Sequence, residues 1–87
     1  MQLNENALSN QKNKLITVAT RHVVLTLTEQ EIAQAFKQLF EKMKVHDPEN
    51  PNLWVVKINE HKLWGILDKG AGPNREDVLT LLFPEDY

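Results

Sequence analysis

The chain has 87 residues, room for one domain with a small core. It contains no cysteine, which excludes a disulfide framework, thiolate-bound zinc or iron–sulfur and a thiol nucleophile, and fits a cytoplasmic protein better than a small secreted one. Ten Lys/Arg against twelve Asp/Glu leave a formal charge of −2, where a nucleic-acid binder normally carries a basic excess, and no apolar run approaches the roughly 20 residues that cross a bilayer.

Residues 1–14 are rich in Asn, Gln and Lys and read as a flexible polar tail, with Leu3, Ala7 and Leu8 its few burial candidates after Met1. The start has neither a basic region nor an apolar signal core, so no export signal is expected. A single small domain is expected over residues 15–87.

Leu15 to Leu27, LITVATRHVVLTL, is dense in β-branched residues and free of Gly and Pro, which predicts strand. Its alternation slips. Ile16, Val18 and Val24 share one face, while Val23, Leu25 and Leu27 share the other. The slip falls at Arg21 and His22, where a bulge, or a break into two shorter strands, would reconcile the halves.

Thr28 to Val45 carries the strongest local signal. Thr28 and Glu31 have capping-box spacing, and Leu27 and Ile32 form a hydrophobic staple around the cap. Ile32, Phe36, Leu39, Phe40 and Met43 recur with helical period, with Ala33 and Ala35 as small fillers. Pro48 predicts a stop near His46.

HDPENPN, residues 46–52, is a loop composition. Leu53–Asn59 and Lys62–Asp68 predict two strands joined by a tight hairpin at Asn59, Glu60 and His61. A three-residue loop sets Val56 opposite Trp64 and Trp54 opposite Ile66, placing both tryptophans on one face. Gly65 marks a close approach by a neighbouring group. KGAGPN, residues 69–74, is a turn. It has a G-x-G but neither the third glycine of a dinucleotide fingerprint nor a phosphate loop's Gly-Lys-Ser/Thr. Val78 to Phe83 alternates apolar residues on both faces, which favours a strand buried on both sides over a short helix capped by Asn74.

The order strand, helix, strand, strand, strand predicts a two-layer α+β domain. A mainly antiparallel sheet of about four strands carries one long amphipathic helix on one face. The last three strands form a meander, and any parallel pairing of the first and second strands should cross over right-handed.

Catalytic signals are weak throughout. No G-x-S-x-G elbow occurs, no histidines stand at i, i+4, and Glu76-Asp77 and Glu85-Asp86 read as solvated charge. No catalytic, metal-binding or cofactor-binding residue is therefore assigned. His46 with Asp47 and Glu49 is a conceivable loop metal site that solvation explains better. His22 beside Arg21 is the best isolated candidate for chemistry.

The reading that remains is a small non-enzymatic interaction module, a regulator, inhibitor or accessory subunit with a protein partner. Its expected contact residues are Trp54, Trp64, Arg21 and Tyr87, since large aromatic and arginine side chains dominate binding hot spots. A toxin-type RNA-binding or RNA-cleaving protein using Arg21, His22 and Lys57 is the alternative; Glu60, Asp68, Glu76 and Asp77 would cancel most of its basic field. A homodimer, through its sheet edges or closed over Phe36, Leu39, Phe40 and Met43, is the third.

Overall fold

A computed structural model describes residues 14–45 and 52–87. The polar tail up to Asn13, the HDPENPN loop up to Pro51 and the conceivable His46 site lie outside them. The elements are β1 (Leu15–Ala19), α1 (Arg21–Thr26), α2 (Glu29–Met43), β2 (Leu53–Ile58), β3 (His61–Asp68), β4 (Asp77–Leu82) and a closing 3₁₀ turn (Pro84–Asp86). The fold is α+β, as expected. The four strands stand in the order β1-β4-β3-β2, with the β2-β3-β4 meander antiparallel and β1 parallel to β4. β1 therefore lies at the edge away from β2, so the first two strands do not pair and the parallel partner of β1 is β4.

The predicted strand Leu15–Leu27 is half strand and half helix. Thr20 ends β1 with extended backbone (φ −68°, ψ 161°), and its hydroxyl accepts the Val23 N–H at 3.3 Å, capping α1. The slip in alternation at Arg21 and His22 was a change of period. Val23 and Leu27, one helical turn apart, are both buried. Their burial outweighs the β preference of two adjacent valines, because propensity differences are only a few tenths of a kcal/mol per residue.

α2 forms as its sequence predicts. The Thr28 hydroxyl accepts the Glu31 N–H at 3.1 Å and the Glu31 carboxylate accepts the Thr28 N–H at 2.9 Å. The helix ends at Met43 with Lys44 as its cap, a little before the predicted stop. Its buried centre is Ala35 and Leu39, flanked by Ile32, Phe36 and Met43. Phe40 stays exposed and stacks on Phe36 with ring centroids 6.3 Å apart.

Gly65 explains how α2 seats. A Cβ there would collide with Leu39 Cδ2 and stand 2.6 Å from Cδ1. The missing side chain admits a leucine knob into the sheet, the close approach its sequence position suggested. On the same helix-facing side Val56, Ile58, Leu63, Leu79 and Leu81 are all buried and belong to one core cluster with Leu39.

The hairpin corrects the expected register. Its loop is Asn59-Glu60, two residues long, with Ile58 paired to His61, Val56 to Leu63 and Trp54 to Gly65. Asn59 takes φ 56°, the left-handed conformation that asparagine tolerates, which lets the loop close without glycine. A one-residue slip reverses which side chains share a face. Trp54 thus lies on the helix side and Trp64 on the opposite face.

The β3–β4 connection turns at Gly70 (φ 69°) and Arg75 (φ 67°). Glu76 and Asp77, expected as solvated charge, organise it. Asp77 accepts the Gly70 N–H at 3.0 Å and Glu76 accepts the Asn74 N–H at 2.8 Å.

Candidate functional site

Two features stand apart from the core, the sheet face without a helix and the cluster that anchors the C-terminal turn.

The register fixes the membership of the open face. β2 contributes Leu53, Val55 and Lys57, and β3 contributes Lys62, Trp64, Ile66 and Asp68. β4 contributes Val78, Thr80 and Leu82, and β1 contributes Ile16 and Val18. Polar side chains stand only at Lys57 and Lys62 at one end, Asp68 at the other, and Thr80. Val18 and Val55 are exposed, Ile16, Leu53, Trp64, Ile66 and Val78 are partly buried, and Leu82 is buried. Monomeric proteins seldom leave a contiguous apolar patch spanning a whole sheet. Tyr87, 83% exposed, stands edge-on to Trp64 with ring centroids 5.8 Å apart and borders the face.

The second feature is built around Asp86. The His22 ring Nδ1–H donates to Asp86 Oδ1 at 2.9 Å, the Thr20 hydroxyl donates to Oδ2 at 3.1 Å, and the Phe83 N–H donates to Oδ2 at 3.2 Å. Hydrogen bonding, first from His22 and then from the Phe83 N–H and the Thr20 hydroxyl, holds the Asp86 carboxyl below the usual range. An ionised carboxylate can only accept, so Nδ1 carries the proton and Nε2 is left for solvent or a ligand. The His22 ring packs on Phe83 at 4.3 Å and His61 meets the same ring edge-on at 5.9 Å. Beyond the hairpin, Asn59 Nδ2 donates to Glu31 Oε2 at 2.6 Å. The Thr28 N–H chiefly, with Asn59, keeps the Glu31 carboxyl low.

This cluster ties together segments more than sixty residues apart. Thr20 ends one strand, caps a helix and clamps the C-terminal turn. The turn in turn delivers Tyr87 to Trp64 on the open face.

The four expected contact residues are not one site. Trp64 and Tyr87 meet. Trp54 faces α2 with its indole Nε1 buried and without a hydrogen-bond partner among the described residues. Arg21 is exposed on α1, next to His22. Lys57, grouped with Arg21 and His22 in the RNA reading, points to the open face, whereas His61 lies on the helix-facing side. The apolar majority of the open face, Ile16, Val18, Val55, Ile66 and Val78, was not named among the expected contact residues. Its signal was the double-faced hydrophobicity of β2 and β4, which reads first as core.

No group of three or more His, Asp or Glu side chains able to hold a metal ion occurs among the described residues. No helix among them is long and apolar enough to cross a membrane. Comparison with protein-family models, with curated proteins and with solved structures gives no match to this chain.

Proposed function

We propose that the protein is a small cytoplasmic non-enzymatic interaction module that works through the open face of its sheet. One observation carries this reading. Largely apolar side chains from all four strands line one face that no helix among the described residues covers; the C-terminal turn and Tyr87 lie at its border, where Leu82 is buried. Burying such a face on a partner gains about 25 cal/mol per Å² of apolar surface, which makes it a natural docking surface. Trp64 and Tyr87 supply the aromatic anchors expected of a hot spot. The test places a photo-cross-linking amino acid at Val55, and at the exposed Lys42 on α2 as control, in cells expressing the full chain. Covalent protein adducts at Val55 and none at Lys42 are expected. Equal labelling at both positions, or none at either, refutes the reading.

The RNA-directed alternative gains one specific observation. Asp86 fixes the tautomer of His22, as a general acid–base histidine requires, and Arg21 lies beside it for phosphate contact. Incubation with a fluorescent single-stranded RNA tests it. Cleavage that His22→Ala abolishes while far-UV circular dichroism is unchanged would replace the first reading; intact RNA removes the alternative.

A further inference from the structure

We infer that the partner of the open face is a second copy of this chain, stacked face to face about a twofold axis that runs across the strands. This inference rests on the open face being a docking surface, and it is argued from how charge is laid out on that face.

The charges are segregated. Lys57 and Lys62 are direct cross-strand partners, both on the open side at the hairpin end. Like charges placed opposite one another destabilise a sheet, so within one copy this pair is a liability without a compensating neighbour. Asp68 lies on the same face of the same strand as Lys62, at the far end of β3. They stand six positions apart on the strand, about 20 Å. Between the two ends are Trp64 and Ile66, with Val55 and Leu53 across from them on β2.

Two sheets that stack face to face as equivalent copies are related by a twofold axis lying between them. An axis parallel to the strands keeps the lysine ends of both copies at one end and the Asp68 ends at the other, so opposite charges do not meet. An axis across the strands lays each strand antiparallel over its own copy. Lys62 and Lys57 of one copy then meet Asp68 of the other, twice by symmetry, and Trp64 meets Ile66 at the centre. Of the two arrangements this one makes the face self-complementary, which is the condition for an isologous contact. Sheets pack in this way with strands aligned to about 30° and about 10 Å between them.

The area is small. Four strands about 4.8 Å apart and five residues long give a footprint of roughly 300 Å² per copy before side-chain relief. That lies below a standard-size interface and fits a weak, reversible contact. A reversible dimer with a dissociation constant on the order of 1–100 μM is expected.

The β2 edge is a poorer route to a dimer. Gln38 of α2 donates its side-chain amide to the Lys57 carbonyl at 3.4 Å, which occupies a group that edge pairing would need. The stripe on α2 is equally unavailable, because Leu39 is buried against the sheet.

The test is sedimentation equilibrium of the full chain from about 1 to 500 μM at about 50 mM salt, where exposed charges are weakly screened. Three proteins are compared: the wild type, Asp68→Lys, and the double variant Lys57→Glu/Lys62→Glu. The wild type should dimerise. Each variant alone opposes like charges across the interface and should dimerise at least tenfold more weakly. An equimolar mixture of the two should associate again, since each then meets its complement. The double variant alters only exposed side chains, so it reads out the proposal even where Asp68→Lys folds poorly. A wild type that stays monomeric to 500 μM overturns the proposal, as does a dimer indifferent to both variants or a mixture that fails to associate. The docking reading fails separately. Adducts of other masses at Val55 with a monomeric wild type leave it standing with a different partner, whereas no adduct at all removes it.

Discussion

The packing of Leu39 above Gly65 is the closest approach at any of the three glycines, and Gly65→Ala measures it. The added Cβ would overlap Leu39 Cδ2 and stand 2.6 Å from Cδ1 and 3.0 Å from Cγ. Leu39 is wholly buried, in one core cluster with Val56, Leu63, Leu79 and Leu81, so it has little room to retreat. Overpacking of this kind costs about 1–3 kcal/mol. Replacing a strand glycine restricts the unfolded chain and returns about 0.5–1 kcal/mol. A net loss of roughly 1–2 kcal/mol follows from these two terms. A chain of this size is expected to have a stability of about 4–13 kcal/mol, so the change is readily measured. Urea unfolding followed by circular dichroism should show the midpoint falling by about 1 M at an unchanged slope. Leu39→Ala alone should cost about 2–5 kcal/mol through the cavity it leaves. The double variant should be more stable than the sum of the two losses predicts, by at least about 1 kcal/mol, because the new methyl enters the space the leucine vacated. A neutral or stabilising Gly65→Ala, or strict additivity in the double variant, would show that α2 does not seat on this glycine.

The remaining predictions concern the polar anchors. Thr28→Ala removes the capping box and should cost about 1 kcal/mol in denaturant titration, with a smaller effect from Glu31→Gln, which keeps an acceptor. Asp86→Asn should lower the unfolding midpoint at pH 7. The Asp86 carboxyl is held below its ordinary value of 3.8, so its contribution is fully present above that pH and is lost as pH falls through the lower folded value. Wild type and variant should therefore converge below about pH 4, and a constant gap down to the acid transition would rule out this role for the carboxylate. Glu76→Gln should behave likewise, beginning from 4.5, since the Asn74 N–H chiefly depresses its carboxyl. Trp54→Phe deletes the buried indole N–H that lacks a partner and should change stability by less than about 1 kcal/mol; a loss of several would mean that the N–H is satisfied.

How far the sequence announced this structure depends on the reach of each signal. The α2 cap needed only Thr28 and Glu31, three residues apart, and it formed as read. β4 was legible because its apolar run was too short for a helix. The run Leu15–Leu27 misled because a lone Thr20 was the only boundary signal among β-branched residues, and the gain that makes Arg21–Thr26 helical lies in the burial of Val23 and Leu27. The hairpin misled by a single residue. Asn59 closes a two-residue loop where three were expected, and that slip alone exchanged the face of one tryptophan. The Asp86 cluster could not be read locally, since His22 is sixty-four positions away.

The same hairpin shift explains why the contact surface differs from the expected one. With both tryptophans on one face, that face would be the core and the other would carry aliphatic side chains without an aromatic anchor. With Trp54 inside and Trp64 outside, both faces of the sheet carry large apolar groups, and the helical layer covers only one of them. The strand compositions demand this whatever the register. β4 reads DVLTLL and β2 reads LWVVKI, so each must place apolar side chains on both sides. A third layer is therefore implied by strands already in the sequence, and the described residues hold no element to provide it beyond the turn that brings Tyr87 to Trp64. The segregated charges of Lys57, Lys62 and Asp68 specify what that layer presents: a largely apolar surface with an acidic group at one end and basic groups at the other. The open face itself meets that description when turned over across its strands.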